Sequence, residues 1–242
     1  ESTLVLANSL PGNSEATLVA RTIAVPMRYS GHNLGLRRLV ENAGLRASDV
    51  KIVEMNPPDM PNALASGALD GYFVGEPFAA KSVAMGTARV FRRAEDFWPG
   101  FMCNLLIVRE ALIRENPAKV SLLVESTIRA GFWAKDHPHD AASIAAKYWG
   151  QPPELAERIL SDQSRKVDFY RYVPLESEFR ELAEAMRRFD LVESASIDGL
   201  IDDSFARAVA IEPVPSFGEI VKSKGKSELR AQSNRPLPFD VK

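Results

Sequence analysis

Apolar residues recur along this chain with two different periods, and the switches between them mark out its elements. Arg21 to Val25 is a short apolar run that reads as a strand, ended by Pro26. A polar turn, Arg28-Tyr29-Ser30-Gly31-His32-Asn33, follows it. Leu36, Leu39, Val40 and Ala43 then fall at i, i+3, i+4 and i+7, which predicts a helix that Gly44 stops. Val50 to Met55 reads as a second strand, Ala63 to Ser66 as a short helix, and Leu69 to Val74 as a third strand running into Gly75-Glu76-Pro77. The order β-α-β-α-β predicts a parallel sheet with right-handed crossovers.

The flanks are less regular. Thr3 to Ala7 reads as a strand, and after a polar turn the run Ala16 to Ala20 is the second arm of a possible hairpin. Phe78 to Met85 predicts a helix ended by Gly86, and Ala88 to Arg92 a strand. Ala94 to Gly100 reads as an irregular crossing, and Leu105 to Val108 is strand-like again. The remainder is mostly helical. One helix is capped by Asn116, the next by Asp140 with Gly150 as its stop, and a third opens at Pro153. Ser177 to Phe189 is amphipathic, and Ile197 to Ala210 holds one or two short helices. From Pro213 onward prolines and a polar-basic run, Lys222 to Lys226, replace the periodic pattern, which predicts a surface-wrapping or loosely ordered extension.

Composition narrows the class. The chain has 242 residues, 45% hydrophobic and 26% charged, enough for one or two domains with a sizeable core. A net charge of −2 gives no reason to expect nucleic acid or an anionic membrane as partner. No apolar run approaches the roughly 18 residues of a membrane span. The chain begins at Glu1 rather than Met, as expected of a processed or shortened chain. Its one cysteine, Cys103, cannot make an internal disulfide, and it reads as a buried inert thiol in preference to a nucleophile.

In an open α/β sheet the ligand crevice lies beyond the carboxyl ends of the strands. Three loops meet there: residues 26–33, 56–61 and 75–77. Ser30 or Asn33 serves either as a plain helix cap or as part of an anion site built on the first N–H groups of the helix. Glu76 is either a ligand-facing carboxylate or the acidic first turn of the next helix. His32 sits beside this crevice and is a candidate ligand donor. Trp98, next to Pro99, is a candidate for lining the cleft, whereas Tyr72 and Phe73 are accounted for by core packing. His137 and His139 flank Pro138 and read as an exposed loop rather than a metal site. No G-x-S-x-G, P-loop or G-x-G-x-x-G motif is present. No catalytic residue, metal or cofactor is expected.

Taken together, these pieces resemble the periplasmic substrate-binding proteins of ABC importers in the nitrate/bicarbonate/sulfonate group, which includes thiamine-precursor binders. The resemblance is carried by Ile23-Ala24-Val25-Pro26, by Ser30-Gly31-His32-Asn33-Leu34 opening a helix, and by Asp49-Val50-Lys51-Ile52. It continues in Pro57-Pro58-Asp59-Met60, Leu69-Asp70-Gly71, Val74-Gly75-Glu76-Pro77-Phe78, the Asn116-Pro117 helix start and His137-Pro138-His139-Asp140. It spans roughly residues 21–210.

The resemblance implies an α/β fold of the two-lobe type 2 periplasmic-binding class, with the N-terminal half of lobe one missing or reduced. It divides the chain into 1–20 (remnant of lobe one), 21–92 (lobe two), 93–104 (hinge crossing), 105–212 (C-terminal part of lobe one) and 213–242 (extension). It also implies a periplasmic or membrane-anchored binder, not an enzyme, that takes a small anion or polar metabolite to an ABC permease by hinge closure. Ser30, Gly31, His32 and Asn33 would supply donors, Pro58, Met60, Gly75 and Glu76 the floor, and Trp98 a wall. Phe78 stands where nitrate-type members carry Trp, which sets nitrate apart from the other solutes. The alternatives are an enzyme like those of thiamine-pyrimidine synthesis, or a ligand-sensing regulatory domain on the same fold.

Overall fold

A computed structural model of the chain describes residues 1–162 and 169–210. The extension expected from residue 213 onward lies outside the described residues. Five strands form one sheet: β1 (Ser2–Ala7), β2 (Thr22–Val25), β3 (Lys51–Glu54), β4 (Gly71–Gly75) and β5 (Ala88–Arg93), in the order β3-β2-β4-β1-β5. The β2–β3 and β2–β4 pairs are parallel, as the alternation of strand and helix predicts. The first strand departs from that pattern. It runs antiparallel between β4 and β5, so that Ser2 lies opposite Gly75 and Ala7 opposite Ala88.

The expected hairpin is absent, because Glu15–Leu18 forms a 3-10 turn whose Leu18 is buried against the sheet. Leu105, Leu106 and Ile107 form no strand and are exposed. Their sequence favours an extended backbone, but a strand needs a neighbouring ladder, and none among the described residues runs beside them.

Helices cover both faces of the sheet. Period-two alternation sorts the strand residues: Leu4, Leu6, Ile23, Val25 and Phe73 face one layer, and Val5, Ala24, Tyr72 and Val74 the other. The first layer is α1 (Gly31–Asn42), which contributes Leu34, Leu36, Leu39 and Val40. The second is α2 (Met60–Ala65) and α3 (Phe78–Ala84), which contribute Met60, Leu64 and Ala79. Tyr72 is fully buried in that layer, and its hydroxyl donates to the Phe78 carbonyl at 2.8 Å and lies 2.6 Å from Ser82 Oγ.

Glycine is required where the backbones meet. A Cβ on Gly71 would lie 2.5 Å from the Val5 carbonyl oxygen, and one on Gly35 would lie 3.0 Å from the Phe73 ring.

Beyond β5 the segment expected to be irregular opens with the short helix α4 (Ala94–Phe97). Six more helices follow among the described residues beyond it: α5 (Glu110–Glu115), α6 (Pro117–Asp136), α7 (Pro138–Trp149), α8 (Pro153–Ser161), α9 (Glu176–Arg188) and α10 (Ser204–Arg207). The Asn116 side chain accepts from the Lys119 N–H and caps α6 as predicted. Asp140 is not the cap of α7, which starts at Pro138 and holds Asp140 in its first turn.

Small residues let α7 and α8 pack closely through Ala142, Ala146 and Ala156. Leu155 and Ile159 of α8 then rest on Ala80 of α3, joining this helical part to the sheet. Helix α9 lays Leu182, Ala185 and Met186 against the α1 side of the core.

Candidate functional site

The carboxyl ends of β2 and β4 lie at one edge of the sheet. Because β1 is antiparallel to β4, its start at Ser2 lies at that same edge. The turn after β2 delivers α1 there with its N-terminus first. Ser30 has extended backbone angles, and its Oγ accepts from the Asn33 N–H at 3.3 Å and donates to the Met27 carbonyl at 2.7 Å. Asn33 is buried, donates from Nδ2 to the Arg28 carbonyl and accepts from Arg37 Nε at 3.1 Å. Both residues therefore hold the turn and the helix start in shape. The N–H groups of Gly31 and His32, the first two of the helix, have no carbonyl within it to bond.

His32 is the centre of the site. Its imidazole is buried edge-on against Phe73 and Phe101, with ring centroids 5.0 and 5.7 Å away. Burial disfavours the charged ring and pushes its pKa down to about 4, so it is neutral near pH 7. Nε2 lies 3.0 Å from Ser2 Oγ and 4.0 Å from Cys103 Sγ. Ser2 Oγ in turn donates to Cys103 Sγ at 3.2 Å.

Cys103 is exposed, not the buried thiol that the sequence suggested. The segment bearing it crosses over the start of α1: a Cβ on Gly31 would lie 3.2 Å from the Phe101 ring and 3.3 Å from the Met102 carbonyl oxygen. At Gly75 a Cβ would lie 3.9 Å from Cys103 Sγ, so this glycine also lines the cluster.

Glu76 follows directly. One carboxylate oxygen accepts from the Ala80 N–H at 2.8 Å at the start of α3, and the other from Thr3 Oγ1 at 3.3 Å.

The other expected site residues stand apart from this cluster. Met60 is fully buried with Val5, Ala24 and Tyr72, and Pro58 is exposed in the 3-10 turn Pro57–Asp59. Trp98 packs edge-on against Phe101 at 5.6 Å, one ring removed from His32. Its outer face carries the Arg38 guanidinium at 4.6 Å and borders a groove of about 570 Å³ between α1 and α9, which Glu181, Arg188 and Phe189 also line. The charges in that groove pair with one another, Arg38 with Glu181 and Arg188 with Glu41. His139 Nδ1 lies 3.0 Å from Glu157 Oε1, and that carboxylate raises the pKa of the ring. Among the described residues no group of three or more His, Cys, Asp or Glu could hold a metal ion.

Ser2, Thr3 and Cys103 are the residues that sequence reasoning missed. They reach this end of the sheet only through the antiparallel insertion of β1 and the crossing of residues 101–103 over α1. The available signal was the position of the only cysteine two residues after the aromatic-rich run Phe97-Trp98-Pro99-Gly100-Phe101.

A family model for the NMT1-like family matches residues 7–149. The chain belongs to the NMT1-like family. It is 34% identical over 110 residues to the nitrate import ATP-binding protein NrtC of Synechococcus elongatus, a match over 45% of this chain and 17% of that protein. It is 28% identical over 130 residues to the 2'-hydroxybiphenyl-2-sulfinate desulfinase of Rhodococcus erythropolis, over 52% of this chain and 34% of that enzyme. The chain thus matches only 17% and 34% of these two relatives' length.

Among solved structures, the alkanesulfonate-binding protein SsuA from Xanthomonas axonopodis pv. citri, bound to MOPS, superposes with a TM-score of 0.68 at 18% identity. That match covers 86% of this chain and 69% of SsuA. At that identity the likeness establishes the fold: a mixed α/β chain of the type 2 periplasmic-binding class.

Proposed function

We propose that this chain is the solute-binding component of an ABC importer, capturing a small oxyanion or polar metabolite of the nitrate, bicarbonate or sulfonate/taurine class for a membrane permease. The observation that carries the reading is a convergence of polar groups at one end of the sheet. The N-terminus of α1, the imidazole of His32 and the hydroxyl of Ser2 converge beyond the carboxyl ends of β2 and β4. A helix N-terminus offers oriented N–H groups and a partial positive charge, which suit an anion. The neutral imidazole of His32 and the hydroxyl of Ser2 add polar surface without a fixed countercharge, so this site suits a weakly hydrated monoanion or a polar neutral solute.

In this reading residues 21–92, completed by β1, form one lobe, 93–104 cross out of it, and 105–212 belong to the other. Ser30, Gly31, His32, Asn33, Gly75 and Glu76 form the solute-facing edge of the first lobe, and closure of the second over it excludes water. Delivery to a permease places the protein in the periplasm or on the outer face of the cytoplasmic membrane.

A thermal-shift screen against nitrate, nitrite, bicarbonate, taurine, alkanesulfonates and pyrimidine precursors tests the proposal. A solute at about 100 times its Kd stabilises the folded state by about 2.7 kcal/mol. One responding class supports the role and names the solute, and a well-folded chain that responds to none of them refutes the proposed solute class.

A second reading, an enzyme related to the desulfinase, is favoured by one observation: a thiol lies 4.0 Å from an imidazole in the crevice. Time-dependent loss of an aryl sulfinate in the presence of the chain, abolished in Cys103→Ala, would establish it over simple binding.

A further inference from the structure

Arg92, Arg93 and Arg188 each meet a carboxylate within 3.1 Å. Arg28 and Arg37 meet none among the described residues, although they stand close enough for one charge to act on the other. Burial lowers the pKa of Arg37, the charge of Arg28 lowers it further, and the opposing effect of Glu41 is smaller. Glu41 pairs instead with Arg188 at 3.1 Å, and Glu54 accepts from the backbone N–H of Arg28 at 2.8 Å and not from its guanidinium. Two like charges held side by side cost stability unless an anion offsets them. The pair is also firmly built. Asn33, 1% exposed, donates from Nδ2 to the Arg28 carbonyl and accepts from Arg37 Nε at 3.1 Å. The Tyr29 ring lies 5.2 Å from the Arg28 guanidinium, and the Phe189 ring 5.4 Å from that of Arg37. Arg37 gives only its Nε–H to the described residues, and its Nη groups are not sealed from solvent.

We propose that Arg28 and Arg37 form a second anion site, separate from the Ser2–His32 cluster, that takes the dianionic phosphate group of a small molecule. A guanidinium presents its N–H groups as a planar fork, and two forks supply enough donors for several oxygens of one tetrahedral anion. A dianion offsets both charges at once, whereas a monoanion leaves half of the repulsion in place. The aromatic rings and Asn33 restrict both side chains before any ligand arrives, so little ordering entropy is lost on binding. The two sites differ in the charge they accept: the neutral imidazole of His32 provides no fixed cation, and the arginine pair provides two.

Titration calorimetry with inorganic phosphate, at an ionic strength held constant with chloride, tests the site, and its failure leaves solute capture at His32 untouched. The wild type should bind phosphate with one-to-one stoichiometry. Arg28→Gln and Arg37→Gln should each weaken binding at least about tenfold, as expected for the loss of hydrogen bonds to a charged group. Arg37→Lys, which keeps the charge and loses the fork, should fall between Arg37→Gln and the wild type. Glycerol 3-phosphate titrated in parallel separates two sources of the anion: tighter binding than phosphate assigns an organic ester, and equal or weaker binding assigns the free ion. Circular dichroism establishes that each variant is folded, and should Arg37→Gln fail to fold, the exposed Arg28 decides through Arg28→Gln. No measurable binding to the wild type overturns the proposal, as does a phosphate affinity that Arg28→Gln leaves unchanged. Binding kept in both arginine variants and lost in His32→Gln would put the anion at His32 and overturn it as well.

Discussion

Acid should weaken this fold through His32, by an amount that follows from its burial. The imidazole is held at about 4 in the folded chain, against 6.5 when free in water. Between those values the unfolded chain binds a proton that the folded chain does not, so lowering the pH favours unfolding. The full stability is present above 6.5 and is lost progressively as the pH falls toward 4. The loss approaches about 1.4 kcal/mol per pH unit, and about 3 kcal/mol in all. At about pH 5 the linkage relation gives about 2 kcal/mol relative to about pH 7.5.

Urea unfolding at the two pH values, in the wild type and in His32→Gln, isolates this contribution. Carboxylates and the other two histidines titrate in both proteins and cancel in the comparison. Glutamine keeps a comparable volume and an N–H donor but has no proton to gain. The wild type should therefore lose about 2 kcal/mol more than the variant on acidification. Equal losses in the two proteins, within about 0.5 kcal/mol, would show that His32 is not the buried neutral base its contacts with Phe73 and Phe101 describe.

Two further outcomes follow from the local geometry. Ser30→Ala removes the side-chain acceptor of the Asn33 N–H and should cost about 1 kcal/mol in chemical denaturation, with Ser30→Asp recovering most of it. Gly71→Ala should cost about 3 kcal/mol, because the new Cβ would lie 2.5 Å from a carbonyl oxygen fixed in the β1–β4 ladder; a loss below about 1 kcal/mol would mean that the strands can separate without penalty.

Sequence alone determined the local elements of the α/β part. Strand and helix periods reflect which side chains one face of an element can bury, and that information is carried within a few residues. The β2-α1-β3-α2-β4 succession and the stops at Gly44, Gly86 and Gly150 were legible for this reason. The Ser30 cap was legible too, because a cap and its acceptor lie three residues apart.

Tertiary structure decided what depends on distant partners. Nothing in Thr3 to Ala7 says that this run enters the middle of the sheet antiparallel, since an apolar strand fits either direction. Leu105 to Val108 has the side chains of a strand yet forms none, because pairing depends on the neighbour and not on the segment. Trp98 turned toward Arg38 and the α1–α9 groove because α9 packs on α1 there, a contact across more than 130 residues. The meeting of Ser2, His32 and Cys103 is of the same kind. Each residue alone reads as ordinary, and only the closing of the sheet and the crossing of residues 101–103 over α1 bring a hydroxyl, an imidazole and a thiol within 4.0 Å of one another.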